Sequence, residues 1–85
     1  MDYDERDAHT FFPIGKLMTP DDVGAAVRSA RRAQGLTQKE LAMAARTGTR
    51  FVGELERGKE TCRLGETLRV LAALGLDVRL EPRGR

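Results

Sequence analysis

A link of only three residues, Arg46-Thr47-Gly48, separates two segments with helical apolar spacing, and this link constrains the fold more than any other feature. The first segment, residues 38–45, begins at a capping box. There the Thr37 hydroxyl accepts a hydrogen bond from the third helical N–H, and Glu40 reaches back to the cap. The second segment covers residues 49–56. Their inward-facing positions are Leu41, Ala42, Ala45, Phe51, Val52 and Leu55. The sequence therefore predicts two short helices joined by a tight turn.

Two further helices flank this pair. Thr19-Pro20-Asp21-Asp22 opens the first, because Thr19 can cap it, Pro20 suits the first helical position and the acids complement the helix dipole. Gly35 and Gly75 end the first and last helices, and Gly58 ends the third. The predicted apolar faces are Val23, Val27 and Ala30 in the first helix, and Leu64, Leu68, Leu71 and Ala72 in the last.

Apolar side chains recur at every second position in residues 76–81, where they alternate strictly with charged side chains before Pro82. This alternation predicts a half-buried strand whose apolar face is Leu76, Val78 and Leu80. Residues 76–81 are the only segment that indicates a strand, so its ladder needs a partner outside the chain. The same strand of a second copy, paired antiparallel about a two-fold axis, is the economical partner, and a frayed extended tail is the alternative.

The length of 85 residues allows one small domain and excludes a doubly wound nucleotide-binding fold or a barrel. With four aromatic rings and no Trp, the core must consist of Leu, Val and Ala. A domain of this size needs helix packing, oligomerisation or both to be stable. Cys62 is the single cysteine, which excludes an internal disulfide framework and a Cys-based metal site.

The net charge of +2 combines two unlike parts of the chain. Residues 1–22 carry six acidic and two basic side chains, whereas residues 23–85 carry thirteen basic and seven acidic ones. We therefore divide the chain into an acidic arm at 1–19, a helical domain at 20–75, a dimerisation strand at 76–81 and a tail at 82–85. The arm contains Phe11-Phe12-Pro13-Ile14, which either docks on a surface or belongs to a disordered tail. The basic excess of the helical part favours a polyanionic partner.

Catalytic groups are hard to assemble from this sequence. The single histidine, His9, lies in the acidic arm, and no glycine-rich phosphate loop is present. We expect a protein that is not an enzyme and needs no metal or cofactor. The sequence has no apolar run long enough to span a membrane and no secretory signal, and a lone cysteine suits a reducing compartment, so we expect a cytoplasmic location at the bacterial nucleoid. Cys62 is then expected to be a packing or surface residue rather than a reactive thiol.

Three blocks of the sequence resemble the phage-repressor (Cro-type, XRE) helix-turn-helix family. They are Gly35-Leu36-Thr37-Gln38-Lys39-Glu40-Leu41-Ala42, then Val52, then Glu56-Arg57-Gly58-Lys59, at the family's spacing. The resemblance implies an all-α, lambda-repressor-like bundle of four to five helices. With the strand at 76–81, it implies a homodimer paired through its C-terminal strands.

The short chain and its C-terminal strand look most like HipB-like antitoxins within that family. The resemblance implies a homodimeric, sequence-specific repressor that binds double-stranded operator DNA, controls its own operon and binds a HipA-type kinase toxin. A solitary regulator of the same fold, without a toxin partner, is one alternative. A protein-interaction module that no longer binds DNA is another.

The turn departs from the family, whose usual Gly-Val-Ser is here Arg46-Thr47-Gly48. A left-handed backbone at Arg46 would cost about 1 kcal/mol or more for a residue other than glycine. We therefore expect either a reshaped turn or strain absorbed at Gly48.

Base readout is expected at the start of the third helix, where such a motif enters the major groove. Arg50 can form a bidentate pair with guanine. Glu54, four residues later, orients Arg50 or accepts from cytosine, and we prefer the orienting role. Thr49 contacts DNA or caps the helix, and Gly53 either leaves room for the DNA or is only a weak helix position. The predicted readout set is Gly48, Thr49, Arg50, Gly53 and Glu54.

Phosphate contacts are expected around this helix. The first turn of the second helix can hold a phosphate oxygen at its positive end. Basic side chains after the third helix resemble the family's phosphate contacts. The predicted phosphate set is Thr37, Gln38, Arg46, Arg57 and Lys59. Arg31 and Glu56 resemble the family's internal ion pair, which is structural.

Overall fold

Residues 19–82 are described by a computed structural model, and they form four helices. These are α1 (Pro20–Ala33), α2 (Gln38–Ala45), α3 (Thr49–Glu56) and α4 (Leu64–Ala73). The bounds of α2 and α3 confirm the prediction, and the number of helices agrees with the predicted bundle. No helix within residues 19–82 is long and apolar enough to cross a membrane.

Local chemistry at its ends explains the limits of α1. The Thr19 hydroxyl accepts from the Asp22 N–H at 3.1 Å, and the Asp22 carboxylate accepts from the Thr19 N–H at 3.1 Å, so the cap is a full capping box. Gly35 then takes a left-handed backbone, with φ of 72°, and the Leu36 N–H donates to the Arg31 carbonyl at 3.1 Å. The predicted stop at Gly35 is confirmed, because only a residue without Cβ adopts this conformation at no steric cost.

The core lies where all four helices meet and is made of small aliphatic side chains. Its largest fully buried members are Leu41, Val27, Val52 and Val70. The inward positions predicted for α2 are all buried, as are two of the three predicted for α3, while Phe51 is half-buried at the edge of the core. The cluster as a whole comprises Val27, Ala30, Leu41, Ala42, Ala45, Val52, Leu55, Val70 and Leu74.

The face of α4 that meets the core differs from the prediction. Val70 and Leu74 are buried, whereas Leu64 is 70% exposed and Leu68 is 43% exposed. The predicted stripe is therefore wrong as a core face, except for Leu71, which is half-buried against the core. The error arises because α4 has apolar residues on two adjacent faces, and only tertiary packing decides which one is covered.

The predicted strand at residues 76–81 does not form in the single chain, since residues 76–82 carry neither helix nor strand. Leu76 packs against the core, but Val78 and Leu80 are exposed. A strand is defined by hydrogen bonds to a neighbouring strand, and residues 19–82 of one chain offer no such neighbour. The predictions for the N-terminal arm, apart from Thr19, and for residues 83–85 of the tail lie outside the described residues.

Candidate nucleic-acid interface

The turn between α2 and α3 takes the strained conformation at Arg46. Its backbone is left-handed, with φ of 58° and ψ of 49°, and it is the only residue other than glycine with positive φ within residues 19–82. Gly48 is extended, with φ of −94° and ψ of 154°, so the expectation that Gly48 absorbs the strain is wrong. The Thr47 N–H donates to the Ala42 carbonyl at 2.9 Å, which closes the end of α2. The strain therefore lies at the Arg46 backbone, directly between the two helices.

The N-terminal end of α3 is an open surface. Gly48 occupies the cap position, makes no side-chain cap bond and has open space where a Cβ would lie. Thr49 is the first helical residue and is exposed, so its alternative role as the cap is wrong. The side chain of Arg50 is 90% exposed. Free amide groups, a hydroxyl and a guanidinium thus meet at one helix end.

Glu54 holds two cations beside this end. Its carboxylate accepts from Arg50 Nε at 3.2 Å and from Lys59 Nζ at 3.2 Å. The hydrogen bond from Lys59 lowers the pKa of Glu54, burial opposes that shift, and the bond from Arg50 adds to it. Glu54 is therefore ionised at neutral pH and pairs with Arg50, a geometry that agrees with the preferred orienting role.

Glu56 ties α1, α2 and α3 together. Arg31 donates to its carboxylate through Nε at 2.6 Å and through Nη2 at 3.1 Å, and Gln38 Nε2 donates at 3.0 Å. Only 3% of the Glu56 side chain is exposed. Burial alone would raise the pKa of Glu56, but the hydrogen bonds from Arg31 and Gln38 and the charge of Arg31 together lower it. The expected structural ion pair of Arg31 and Glu56 is confirmed.

Gln38 and Gly53 have structural contacts in addition to their predicted roles. One amide hydrogen of Gln38 goes to Glu56, which leaves the second available. Gly53 is buried, and a Cβ there would lie 3.4 Å from Arg57 Nη1 and 3.7 Å from Gln38 Oε1. Both distances are ordinary contact distances, so Gln38 and Arg57 lie directly beside the Gly53 position.

The first turn of α2 lies beside this group. The Thr37 hydroxyl accepts from the Glu40 N–H at 3.0 Å, and Glu40 accepts from the Thr37 N–H at 2.8 Å, which confirms the capping box. Arg46, Arg57 and Lys59 are exposed. The structure brings Gln38 of α2 together with Gly53 and Arg57, and it brings Arg50, Glu54 and Lys59 together.

A family model described as a helix-turn-helix domain matches residues 22–83. The chain belongs to this family. The match confirms the resemblance seen in the three sequence blocks and covers all four helices of the domain apart from the first two residues of α1. A curated relative, the uncharacterized HTH-type transcriptional regulator y4mF of Sinorhizobium fredii, is 46% identical over 63 residues, which is 74% of this chain and 83% of the relative.

Several solved structures have a fold similar to that of this chain, and HipB is among them. A HipB–O4 20mer complex matches with a TM-score of 0.75 at 22% identity, covering 84% of this chain and 100% of that one. A HipA–HipB–O2–O3 complex matches with a TM-score of 0.76 at 22% identity and the same coverage. The clp gene regulator ClgR from C. glutamicum matches with a TM-score of 0.62 at 35% identity, over 73% of this chain and 80% of that one. The HipB matches establish a shared fold.

Sequence reasoning missed three residues that position the helices of this helix-turn-helix domain. Gly24 lies against the end of α3, where a Cβ would overlap the Leu55 carbonyl and lie 2.7 Å from the Glu56 carbonyl oxygen. Glu66 and Arg69 of α4 bond to the turn between α2 and α3. A glycine inside an apolar helical pattern was a usable signal for Gly24. No local pattern points to Glu66 or Arg69, because their partners lie 19 to 24 residues away in the chain.

The polar side chains of the described residues do not form a metal site. No cluster of three or more His, Cys, Asp and Glu side chains within residues 19–82 could hold an ion. Cys62 is half-buried against the core, and burial raises the pKa of its thiol. The contact with the core confirms the expected packing role of Cys62.

Proposed function

We propose that this protein is a sequence-specific transcriptional repressor that inserts the N-terminal end of α3 into the major groove of double-stranded DNA. The observation that carries the proposal is the exposed Arg50 at that end, whose Nε donates to Glu54 at 3.2 Å. A guanidinium presents a planar fork that matches the O6 and N7 acceptors of guanine. Gly48 and Thr49 complete the surface that faces the bases. Gln38 and Arg57 lie close beside the same helix, next to Gly53.

Phosphate groups would be bound on both sides of this surface. Thr37 caps α2 and Gln38 begins it, and the first turn of α2 has amide groups without helical partners and the positive end of the dipole. Arg46 lies before α3, and Arg57 and Lys59 lie after it. Lys59 bonds to Glu54 at 3.2 Å. On DNA, Lys59 would bind a phosphate either in place of Glu54 or in addition to it. These contacts would supply affinity for any sequence and make binding sensitive to salt.

The repressor would act as a homodimer joined through residues 76–81. Val78 and Leu80 are exposed in the single chain, and their strict alternation with charged residues suits a two-stranded antiparallel pair. Leu76 would continue this apolar face into the core. A two-fold dimer presents two copies of α3 to two half-sites, which a single small domain cannot do.

The finer proposal is that the protein is the antitoxin partner of a HipA-type kinase. All of the matched HipB chain is covered by this fold, including in the HipA–HipB–O2–O3 complex. A solitary regulator is the second candidate, favoured by the higher identities of y4mF and ClgR, 46% and 35%. Co-expression with the product of a neighbouring HipA-type gene separates the two. A stable co-purified complex would support the antitoxin. The absence of such a complex would support the solitary regulator.

The DNA proposal is tested by selecting bound duplexes from a randomised 20-base-pair library, then measuring affinity for the selected and a scrambled duplex by fluorescence anisotropy. Arg50→Ala should lower affinity for the selected duplex by about tenfold and reduce its preference over the scrambled one. Lys59→Ala should weaken binding to both duplexes alike. Equal losses on both duplexes for Arg50→Ala would contradict its role in readout. Failure of the wild type to enrich any sequence would leave the protein-interaction module as the better reading.

A further inference from the structure

The turn before α3 is held by two side chains that lie outside the helix-turn-helix pair. Arg69 Nε donates to the Ala45 carbonyl at 3.1 Å, and Arg69 Nη2 makes a longer bond of 3.4 Å to the Arg46 carbonyl. The Thr47 hydroxyl donates to Glu66 Oε2 at 2.8 Å. Three consecutive residues, the last of α2 and the first two of the turn, are therefore bonded from α4, in which Glu66 and Arg69 lie on one face, three residues apart.

These bonds meet chemical needs that the turn does not satisfy by itself. The last carbonyls of a helix lack partners within the helix, and α2 ends at Ala45. Arg46 is left-handed without being glycine, so its conformation persists only because the surroundings impose it. Arg69 bonds to the carbonyls on both sides of the Arg46 backbone torsions, and thereby restrains those torsions.

The next element along the chain depends on this restraint. Gly48 gives α3 no side-chain cap, and a Cβ at Gly48 would touch nothing, so the entry to α3 has few contacts of its own. The direction in which α3 begins, at Thr49 and Arg50, is then determined by the preceding Arg46–Thr47 backbone. A small rotation at Arg46 would displace the Arg50 guanidinium relative to α2.

We propose that Glu66 and Arg69 are positioning residues for DNA readout: acting through Arg46 and Thr47, they set the angle of α3 and hence the discrimination between sequences. This inference rests on the proposed function and adds that α4 determines specificity without contacting a base. We name Glu66, Arg69 and their turn partners the α4 clamp.

The test measures the ratio of affinities for the selected and scrambled duplexes, at one salt concentration and as a function of salt. Thr47→Val removes the hydroxyl donor while keeping the side-chain shape, and Glu66→Ala removes its acceptor. Each should lower the affinity ratio by about tenfold while leaving the salt dependence unchanged. The double variant should lose no more than either single variant, because both break the same bond. Glu66→Gln, which keeps an oxygen acceptor, should retain the wild-type ratio.

Arg69 requires a control for charge, because it is exposed and a cation. Arg69→Lys keeps the charge but cannot bond to two carbonyls through a planar fork, so it should also lower the ratio. Arg69→Met removes the charge and both bonds and should lower the ratio as well. Arg32→Met, at an exposed position in α1, loses the same charge and should leave the ratio unchanged. Circular dichroism of each variant verifies that the helices remain folded.

The outcomes separate the clamp from the proposed function. A wild type that selects a sequence, with clamp variants that keep its affinity ratio, would overturn the clamp and leave the repressor intact. Additive losses in Thr47→Val and Glu66→Ala would likewise overturn it. A wild type without sequence preference would overturn the repressor proposal itself, and the clamp with it.

Discussion

Arg46 combines a left-handed backbone with an exposed side chain, so a glycine at this position tests the backbone strain through the stability of the fold. Arg46→Gly should raise the free energy of unfolding by about 0.5 kcal/mol, because relief of a conformation costing about 1–2 kcal/mol exceeds the entropy of about 0.5–1 kcal/mol that glycine loses. Urea denaturation followed by circular dichroism measures this change. Arg32→Gly, in the right-handed backbone of α1, is the matched control and should lose about 1 kcal/mol. Equal destabilisation by the two variants would show that the Arg46 backbone is not strained.

Glu56 makes the stability of the fold depend on pH. Its pKa is lowered in the folded protein from the ordinary 4.5, so the folded state favours the ionised carboxylate. That stabilisation is complete above about pH 5 and is lost as the pH falls through the lowered folded pKa. The free energy of unfolding should therefore decrease as the pH falls from about 5 to about 3. The free energy of unfolding of the Glu56→Gln variant should decrease less steeply over this range.

Denaturation with urea at each pH, at one protein concentration, gives the two slopes. Glu81→Gln removes the same charge from an exposed position and should keep the wild-type slope. At neutral pH, Glu56→Gln should also be less stable than the wild type, since Arg31 then remains largely buried without an anionic partner. A variant slope as steep as that of the wild type would place the acid sensitivity on other carboxylates.

At the scale of helices, α1 approaches the end of α3 only because Gly24 has no side chain. A Cβ there would overlap the backbone of Leu55 and Glu56, which cannot move aside as a flexible side chain can. Gly24→Ala should therefore destabilise the fold by about 1–3 kcal/mol, even though alanine favours helix. Gly65→Ala in α4 meets open space and should stabilise the protein by about 0.5–1 kcal/mol. Thermal unfolding of both variants gives the comparison, and stabilisation by Gly24→Ala would contradict the close approach.

The helices also show which structure was predictable from the sequence. Caps, terminal glycines and apolar spacing are local, so they predicted the limits of α2 and α3 and the i, i+4 contact of Arg50 with Glu54. The buried face of α4 was not predictable, because Val70 and Leu64 lie on adjacent apolar faces and only packing decides between them. The bonds of Arg69 to the turn were hidden for the same reason, since the two meet only after the chain folds.

The molecule as a whole leaves apolar surface that one copy does not cover. Leu64, Leu68 and Val78 are exposed, and Leu80 is 92% exposed, although the core consists of small side chains and has little stability to spare. Leu64 and Leu68 belong to α4, and the segment at residues 76–81 follows shortly after α4. A second copy paired through residues 76–81 could therefore cover exposed apolar side chains of that segment and of α4. The dimer would stabilise the domain and also arrange two α3 helices for a two-fold operator.

Val78→Asp tests this arrangement, because it places a charge at the centre of the proposed apolar face of the strand pair. Sedimentation equilibrium should show a dimer for the wild type and a monomer for the variant. Affinity for the selected duplex should fall by at least about tenfold, since each half-site then binds separately. Arg79→Asp places the same side chain on the opposite, solvent-facing side of the strand and should remain dimeric. A Val78→Asp dimer would exclude pairing through this face and direct the search for the interface to Leu64 and Leu68 of α4. Equal dissociation of both variants would exclude a pair in which only the Leu76–Val78–Leu80 face is buried.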